Sequence, residues 1–343
     1  MKNLIALLCL FPTLCFSQMT QNNEPTYGTN TTMFLCDSNV TKYASLVGNN
    51  QTWDYSNIAG IGDPSNLGHA RTKLVSLDTI NPNTTDTVFI GANKKYSIGS
   101  SIKTFYSSTP TQRISQGYIF FEQSLGDVYL NWTAGTNPNS EILNEYPFAL
   151  NGFLTDNYSG AIKNTTFLAT PAQASGNASA QIDGSGTLKL PGNTYSNVLR
   201  YHLKDSSTTS VFGQNISFVR DIYEYYDYSI SNFPIFIILN SKVYSLIVNN
   251  NSTIVLSKDE PTHFVGIEEK MLSNIKIYPN PVKNSLYIDL KKDFEYKIKS
   301  IDGYELIKGG NSSTIDVSTL PVGVYLIEIA INTDTSTLRF IKE

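Results

Sequence analysis

Cysteine and histidine are scarce in this chain, and each scarcity removes a class of chemistry. The 343 residues include 3 Cys and 3 His. His69, His202 and His263 lie far apart, with neither an HExxH helix nor a paired spacing, so a catalytic zinc site has no support. Charged residues make up 16%, below the usual value of about 25%, so Asn, Ser, Thr and Gln must supply the polar surface. The net charge is −4 and no long Lys/Arg run occurs, which leaves no electrostatic case for a nucleic-acid partner. There is no apolar run of the roughly 18 residues that a membrane helix needs. Self-similarity at a fixed period is also absent.

What is abundant is aromatic. Tyr and Phe number 21 and 17, and such residues suit pleated, half-buried surfaces. Most of the chain reads as short alternating runs closed by Gly, Asn, Ser and Pro, such as "TVFIGANKKYSIG", "SIKTFYSS", "FPIFIILN" and "KVYSLIVN". "GYIFFEQSLGDVYLNWT" predicts a hairpin. In "ASAQIDGSGTLKLPGNTYSNVLRYHLKD" the pairs Asp183-Gly184 and Pro191-Gly192 predict turns. The returning strand sets Val198, Arg200 and His202 against Leu199, Tyr201 and Leu203. "NVTKYASLVG" predicts one short helix, and "SEILNEYPFALNG" a helical turn with loop. The expected class is all-β: an antiparallel sandwich or jelly-roll-like main domain followed by a small immunoglobulin-like sandwich.

The start of the chain, "MKNLIALLCLFPTLCFSQ", has Lys2, an apolar stretch from Leu4 to Phe16, and small residues Cys15 and Ser17 before a cut at Gln18. This is the anatomy of a secretory signal peptide over residues 1–17. Bulky Leu14 argues against lipid modification of Cys15. Cutting there leaves Cys36 alone, without an internal disulfide, and in "TMFLCDS" it reads as a small buried apolar residue. Residues 18–258 then form the main extracellular domain. The charged stretch 259–271, with Pro261 and Gly266, reads as a linker. Seven short runs fill 272–343, and Asp302-Gly303 marks a tight hairpin between two of them. Pro279 and Pro281 cannot donate ladder hydrogen bonds, so they belong at a strand end.

The order of "IKIYPNPVKNSLYIDL", "IDVSTLPVGVYLIEI" and a closing "STLRFIKE" resembles the type A C-terminal sorting domain of type IX secretion cargo. The resembling positions are Tyr278, Pro279, Asn280, Pro281, Asp316, Leu320, Pro321, Gly323 and Tyr325, with Glu343 standing where such tails usually end on a basic residue. The resemblance implies a route: passage through the periplasm, recognition by an outer-membrane translocon, removal of the tail by a sortase-like protease, and release or attachment to a surface glycolipid. "GNNQTWDYSNI" and "YEYYDYSISNFPIF" resemble segments of other secreted cargo that imply no chemistry.

No cofactor is called for, and no catalytic constellation stands out. Asp63, Ser65 and His69 sit around a Pro in ordinary turn chemistry, without a nucleophile elbow. Asp183 in "DGSG" lacks the further oxygen ligands of a calcium loop. A hydrolase acting on glycans through paired carboxylates stays open, with Glu122, Asp127, Asp183 and Glu224 as candidates. The favoured reading is a non-catalytic binding or adhesion module. Alternation sets Tyr226 and Tyr228 on one face and Tyr223 and Tyr225 on the other, and an exposed set would stack on sugar rings. Asp78-Thr79 and Asp86-Thr87 resemble O-glycosylation sites at Thr79 and Thr87.

Overall fold

A computed structural model describes residues 18–62, 71–79, 88–122, 126–164, 168–211, 213–245, 249–265, 275–290, 293–300, 303–331 and 334–343. The all-β class is met. The layering of the main domain differs from the expected stacked sheets, because its principal sheet closes on itself.

Twelve strands form the ring: β1 (Thr29–Cys36), β2 (Thr72–Thr79), β3 (Lys94–Ile98), β4 (Ile102–Ser108), β5 (Gln112–Glu122), β6 (Gly126–Asn131), β7 (Phe153–Asn164), β8 (Leu168–Leu190), β9 (Asn193–Val211), β10 (Gln214–Tyr226), β11 (Phe236–Tyr244) and β12 (Asn249–Ser257). Each pairs antiparallel with the next, and β12 returns to β1 through Val255↔Cys36, Leu256↔Leu35 and Ser257↔Phe34. This closing ladder is short, three residue pairs against the nine that join β11 to β12.

Alternation decides what fills it. Leu199, Tyr201 and Leu203 face inward with Ile222, Leu239, Ala180, Trp132 and Val75 in one apolar cluster. Met19 and Phe148 join that cluster from two short segments that pair with each other, Gln18–Met19 against Phe148–Ala149, and Leu143 and Tyr146 join it from the stretch just before Phe148. The stretch predicted as a helical turn is thus strand, with Glu141–Glu145 laid against β5.

Residues 37–62 lie on the outer face. Trp53, Tyr55 and Ile58 pack there on Val198, Tyr223, Tyr225, Phe236 and Val255. Residues 39–47 are turns and coil in place of the helix expected over 39–48. Arg200 ties this coil to the outer face, its guanidinium donating to the Tyr43 and Leu46 carbonyls at 2.9 and 3.0 Å. Asp183-Gly184 is not a turn either. β8 runs through it with a register shift between Ile182 and Gly184. Gly186 has φ +155°, and a Cβ there would sit 2.1 Å from the Gln51 carbonyl oxygen of the parallel strand Gly48–Asp54. Gly186→Ala should therefore cost about 1–3 kcal/mol and release Trp53, read as a lower urea midpoint and red-shifted tryptophan emission.

The predicted linker is partly barrel. Phe264–Val265 pair in parallel with Gly60–Ile61, and the Gly60 amide donates to the His263 carbonyl at 2.9 Å. Positions 266–271 lie outside the described residues. The seven C-terminal runs become seven strands: β13 (Lys276–Tyr278), β14 (Ser285–Asp289), β15 (Glu295–Ser300), β16 (Glu305–Gly310), β17 (Thr314–Asp316), β18 (Gly323–Ile331) and β19 (Asp334–Lys342). They form a three-stranded sheet, β13-β14-β17, and a four-stranded sheet, β16-β15-β18-β19. Leu286, Ile288 and Ile315 of the first share a core with Ile298, Ile327 and Phe340 of the second.

Candidate functional site

Among the described side chains, Asp127, Asp183 and Glu224 do not converge. Glu224 points inward, where the Tyr226 hydroxyl donates to it at 2.6 Å. Burial raises its pKa, against the opposing influence of Tyr226 and Arg113. Asp183 faces outward and is buried, accepting from Arg200 Nε at 2.6 Å and Nη2 at 3.0 Å. Asp127 is exposed at the β5–β6 hairpin. Glu122 is paired in the same hairpin, opposite Gly126. Asp63, Ser65 and His69 lie outside the described residues, as does Thr87. Thr79 is exposed at the end of β2.

The tyrosine surface is a correction. Tyr223 and Tyr225 are buried beneath residues 37–62, while Tyr226 is buried in the ring and Tyr228 is half-buried against its core. Alternation separates the two sets, and both faces are covered. His202 stacks on Tyr223 at 4.0 Å between ring centroids, and its Nε2 lies 2.8 Å from Asp221. Cys36 is buried, which pushes its thiol up to about 12 and makes it inert.

Two ion clusters inside the ring escaped the sequence reading. Glu24 takes Lys94 at 2.5 Å, Arg113 at 3.1 Å and the Tyr146 hydroxyl at 2.5 Å. Burial alone would raise this carboxyl, but the Arg113 charge and the Lys94 and Tyr146 hydrogen bonds bring it down to about 2. Deeper in, Arg220 bridges Glu141, at 3.1 Å, and Asp205, with its guanidinium 3.8 Å from the Tyr118 ring centre. Burial drives the Glu141 pKa well above the carboxylate range, offset in part by Arg220 and reinforced by Asp205. A signal was present: Arg220 shares its alternating face with Phe218 and Ile222, which is where a charge must be buried and paired. A groove of about 510 Å³ on the outer face includes Asp37, Asp54, Tyr43 and His263. Both acids there are held by local turns, Asp37 by the Asn39 amide and Asp54 by Ser56.

The motif residues of the tail gather at two places. β13 ends at Tyr278, and Pro279 and Pro281 follow it. Between them the Asn280 side chain clamps β19, donating to the Arg339 carbonyl at 3.1 Å and accepting from the Ile341 amide at 2.9 Å. Val282 continues the clamp, its amide donating to the Ile341 carbonyl and its carbonyl accepting from the Glu343 amide. Tyr278 stacks on Tyr287 at 5.8 Å, and both are exposed. At the β17–β18 connection Asp316 accepts from the Ser318 amide, Leu320 is buried, and the Tyr325 hydroxyl donates to the Pro321 carbonyl at 2.8 Å. An Asp-x-Ser turn closed by a Tyr thus gives each of these residue types a structural task at this spacing.

Residues 276–343 match the secretion system C-terminal sorting domain. The sorting domain addresses its chain to the type IX secretion system, and so to the cell surface or the extracellular space. No curated protein matches the chain at significant similarity. Among the described residues no helix is long and apolar enough to cross a membrane. In the sorting domain, Tyr325→Phe removes one hydroxyl bond and should cost about 1 kcal/mol, read as faster amide exchange across 316–325 with the barrel unchanged.

Proposed function

We propose that the barrel is a non-catalytic binding or adhesion module that the sorting domain delivers to the cell exterior. The observation that carries this reading is the dispersal of the acids. Asp127, Asp183 and Glu224 occupy three separate surfaces, and Asp183 and Glu224 already serve local partners. In this reading residues 1–17 carry the chain across the inner membrane and are removed. The sorting domain then engages the outer-membrane translocon, and a sortase-like protease separates it from the barrel. Phe264–Val265 belong to the barrel ladder, which favours a cut between 266 and 275. After the cut the barrel is free or held on a surface glycolipid. Exposed Thr79 suits glycosylation, which intact-mass analysis would register as hexose additions.

The test is an array of glycans and extracellular proteins probed with the protein recovered from the medium. Retention without release of cleaved products is expected. Glycan turnover on the array would replace this reading with a hydrolase.

A further inference from the structure

Side chains do not fill the ring interior completely. A cavity of about 60 Å³ lies within its apolar cluster, bounded by Ile98 of β3, Ile102 of β4, Leu203 of β9 and Ile222 of β10. Residues 19–25 close one side of it, and the loop after β10, from Tyr228 to Pro234, closes another. The Asn232 side chain bridges these two segments, donating to the Glu24 carbonyl at 3.4 Å. A water takes up about 30 Å³ in the liquid, so the space equals about two waters, or an organic molecule of about four non-hydrogen atoms.

Three polar groups on this cavity have hydrogen-bonding capacity to spare. Arg113 sits deep in the ring, yet 18% of its side chain is accessible, and it lines the cavity. Its Nε donates to Glu24, while Nη1 and Nη2 make no hydrogen bond among the described residues. The Tyr96 hydroxyl is buried beside Glu224 without a well-formed hydrogen bond. Glu224 takes the Tyr226 hydroxyl on Oε2 and has no such partner on Oε1 among the described residues.

The charge is uneven as well. Glu24 is a single anion shared by Lys94 and Arg113. Arg220 also reaches the cavity, and Asp205 balances it. Burial favours the neutral forms of Glu224 and Glu141. One positive charge is therefore left over. Water would meet the hydrogen-bond needs of this cavity but not that charge. A divalent oxyanion would overshoot it, and a cation would add to it. A carboxylate balances it, and its two oxygens match the fork of a guanidinium. We propose that the barrel binds a small monocarboxylate in this cavity, its oxygens on the Arg113 Nη groups and the Tyr96 hydroxyl and its short aliphatic part among Ile98, Ile102, Leu203 and Ile222. The inference rests on the binding-module reading and names a ligand class for it. Neutral Glu224 donates to the bound carboxylate, whereas ionised Glu224 repels it. Facing Glu224 are Tyr96 of β3, Arg113 of β5 and Tyr201 of β9, with Arg220, Tyr226 and Tyr228 from its own strand and the loop after it. Affinity therefore falls as pH rises through the titration of Glu224.

The experiment is saturation-transfer NMR on the protein recovered from the medium. Acetate and propionate are the probes, and acetamide and ethylammonium are the neutral and cationic comparisons. Transfer to acetate or propionate is expected, weakening as pH rises, with little to acetamide and none to ethylammonium. Tyr96→Phe removes only a hydroxyl without a well-formed partner, so the barrel should stay folded, as tryptophan emission will show. Its affinity for the carboxylate should be about tenfold weaker. Glu224→Gln should still bind and lose the pH dependence. Unchanged affinity in Tyr96→Phe would overturn the site. Equal transfer to acetamide would overturn the ligand class. No transfer to either carboxylate, with retention on the array of glycans and proteins, would overturn the cavity site and leave the binding module. Silence in both assays would remove both.

Discussion

A chain lacking β19 should be missing from the medium and accumulate in the cells. β19 supplies nine paired residues to β18 and the fully buried Phe340 to the core of the sorting domain. Removing a buried Phe side chain alone costs about 3–5 kcal/mol. A unit of this size buries little surface to spare, so the loss should unfold it. Phe340→Ala is expected to reproduce the truncation. Asn280→Ala is the graded test. It removes two hydrogen bonds to β19, each worth about 1 kcal/mol, and should reduce export without abolishing it. Immunoblots of medium and cell fractions separate these outcomes. A truncated chain reaching the medium at the level of the intact one would show that this fold is not what directs export.

The second large effect concerns Arg220. It is a single cation between two buried carboxylates. Arg220→Met would leave the buried Asp205 carboxylate, beside the Glu141 carboxyl, without its counter-charge, at a cost of about 3–5 kcal/mol. Against a typical total of about 5–15 kcal/mol, that is enough to depress soluble yield. The pH dependence follows from Glu141. Its folded pKa is raised, so between the ordinary carboxylate value and the raised one the folded state binds the extra proton. The corresponding stability is fully present below the unfolded-state value of about 4.3 and is lost as pH rises through the folded value. Facing Glu141 are Arg220 of β10, Asp205 of β9 and Ser115 of β5. Glu141→Gln keeps an uncharged group beside Arg220 and should flatten this slope. Both tryptophans, Trp53 and Trp132, lie in the barrel, so their emission reads it without interference from the sorting domain. Melting followed by that emission should show a falling midpoint from about pH 5 to about pH 9. An intact chain with a flat profile over that range would rule out the buried proton.

Glu24 acts in the opposite direction. Its folded pKa is depressed to about 2, so its contribution is present above the unfolded value and disappears only as pH falls through the folded one. The two clusters together therefore favour mildly acidic to neutral conditions.

Much of the sorting domain was legible because its information is local. The strands are short, consecutive and joined by Pro, Gly and Asp-x-Ser signals, and the pairs in "YKIKSI" and "YELIK" are neighbours in sequence as well as in space. In the barrel, alternation correctly separated Leu199, Tyr201 and Leu203 from Val198 and Arg200. It could not say what lay over each face. A period of two gives two sides to a strand, and whether a side meets water or another segment depends on residues far away. Tyr223 and Tyr225 are buried only because residues 37–62 fold over them. Arg200 draws that segment in through carbonyls whose sequence gives no sign of it. Ring closure is the extreme case, joining Cys36 to Val255 through a ladder that no local signal encodes. The sequence by itself determined the class, the strand faces and the export label. Only the tertiary structure decided the closed ring and its buried ion clusters, because each depends on contacts between residues distant in the chain.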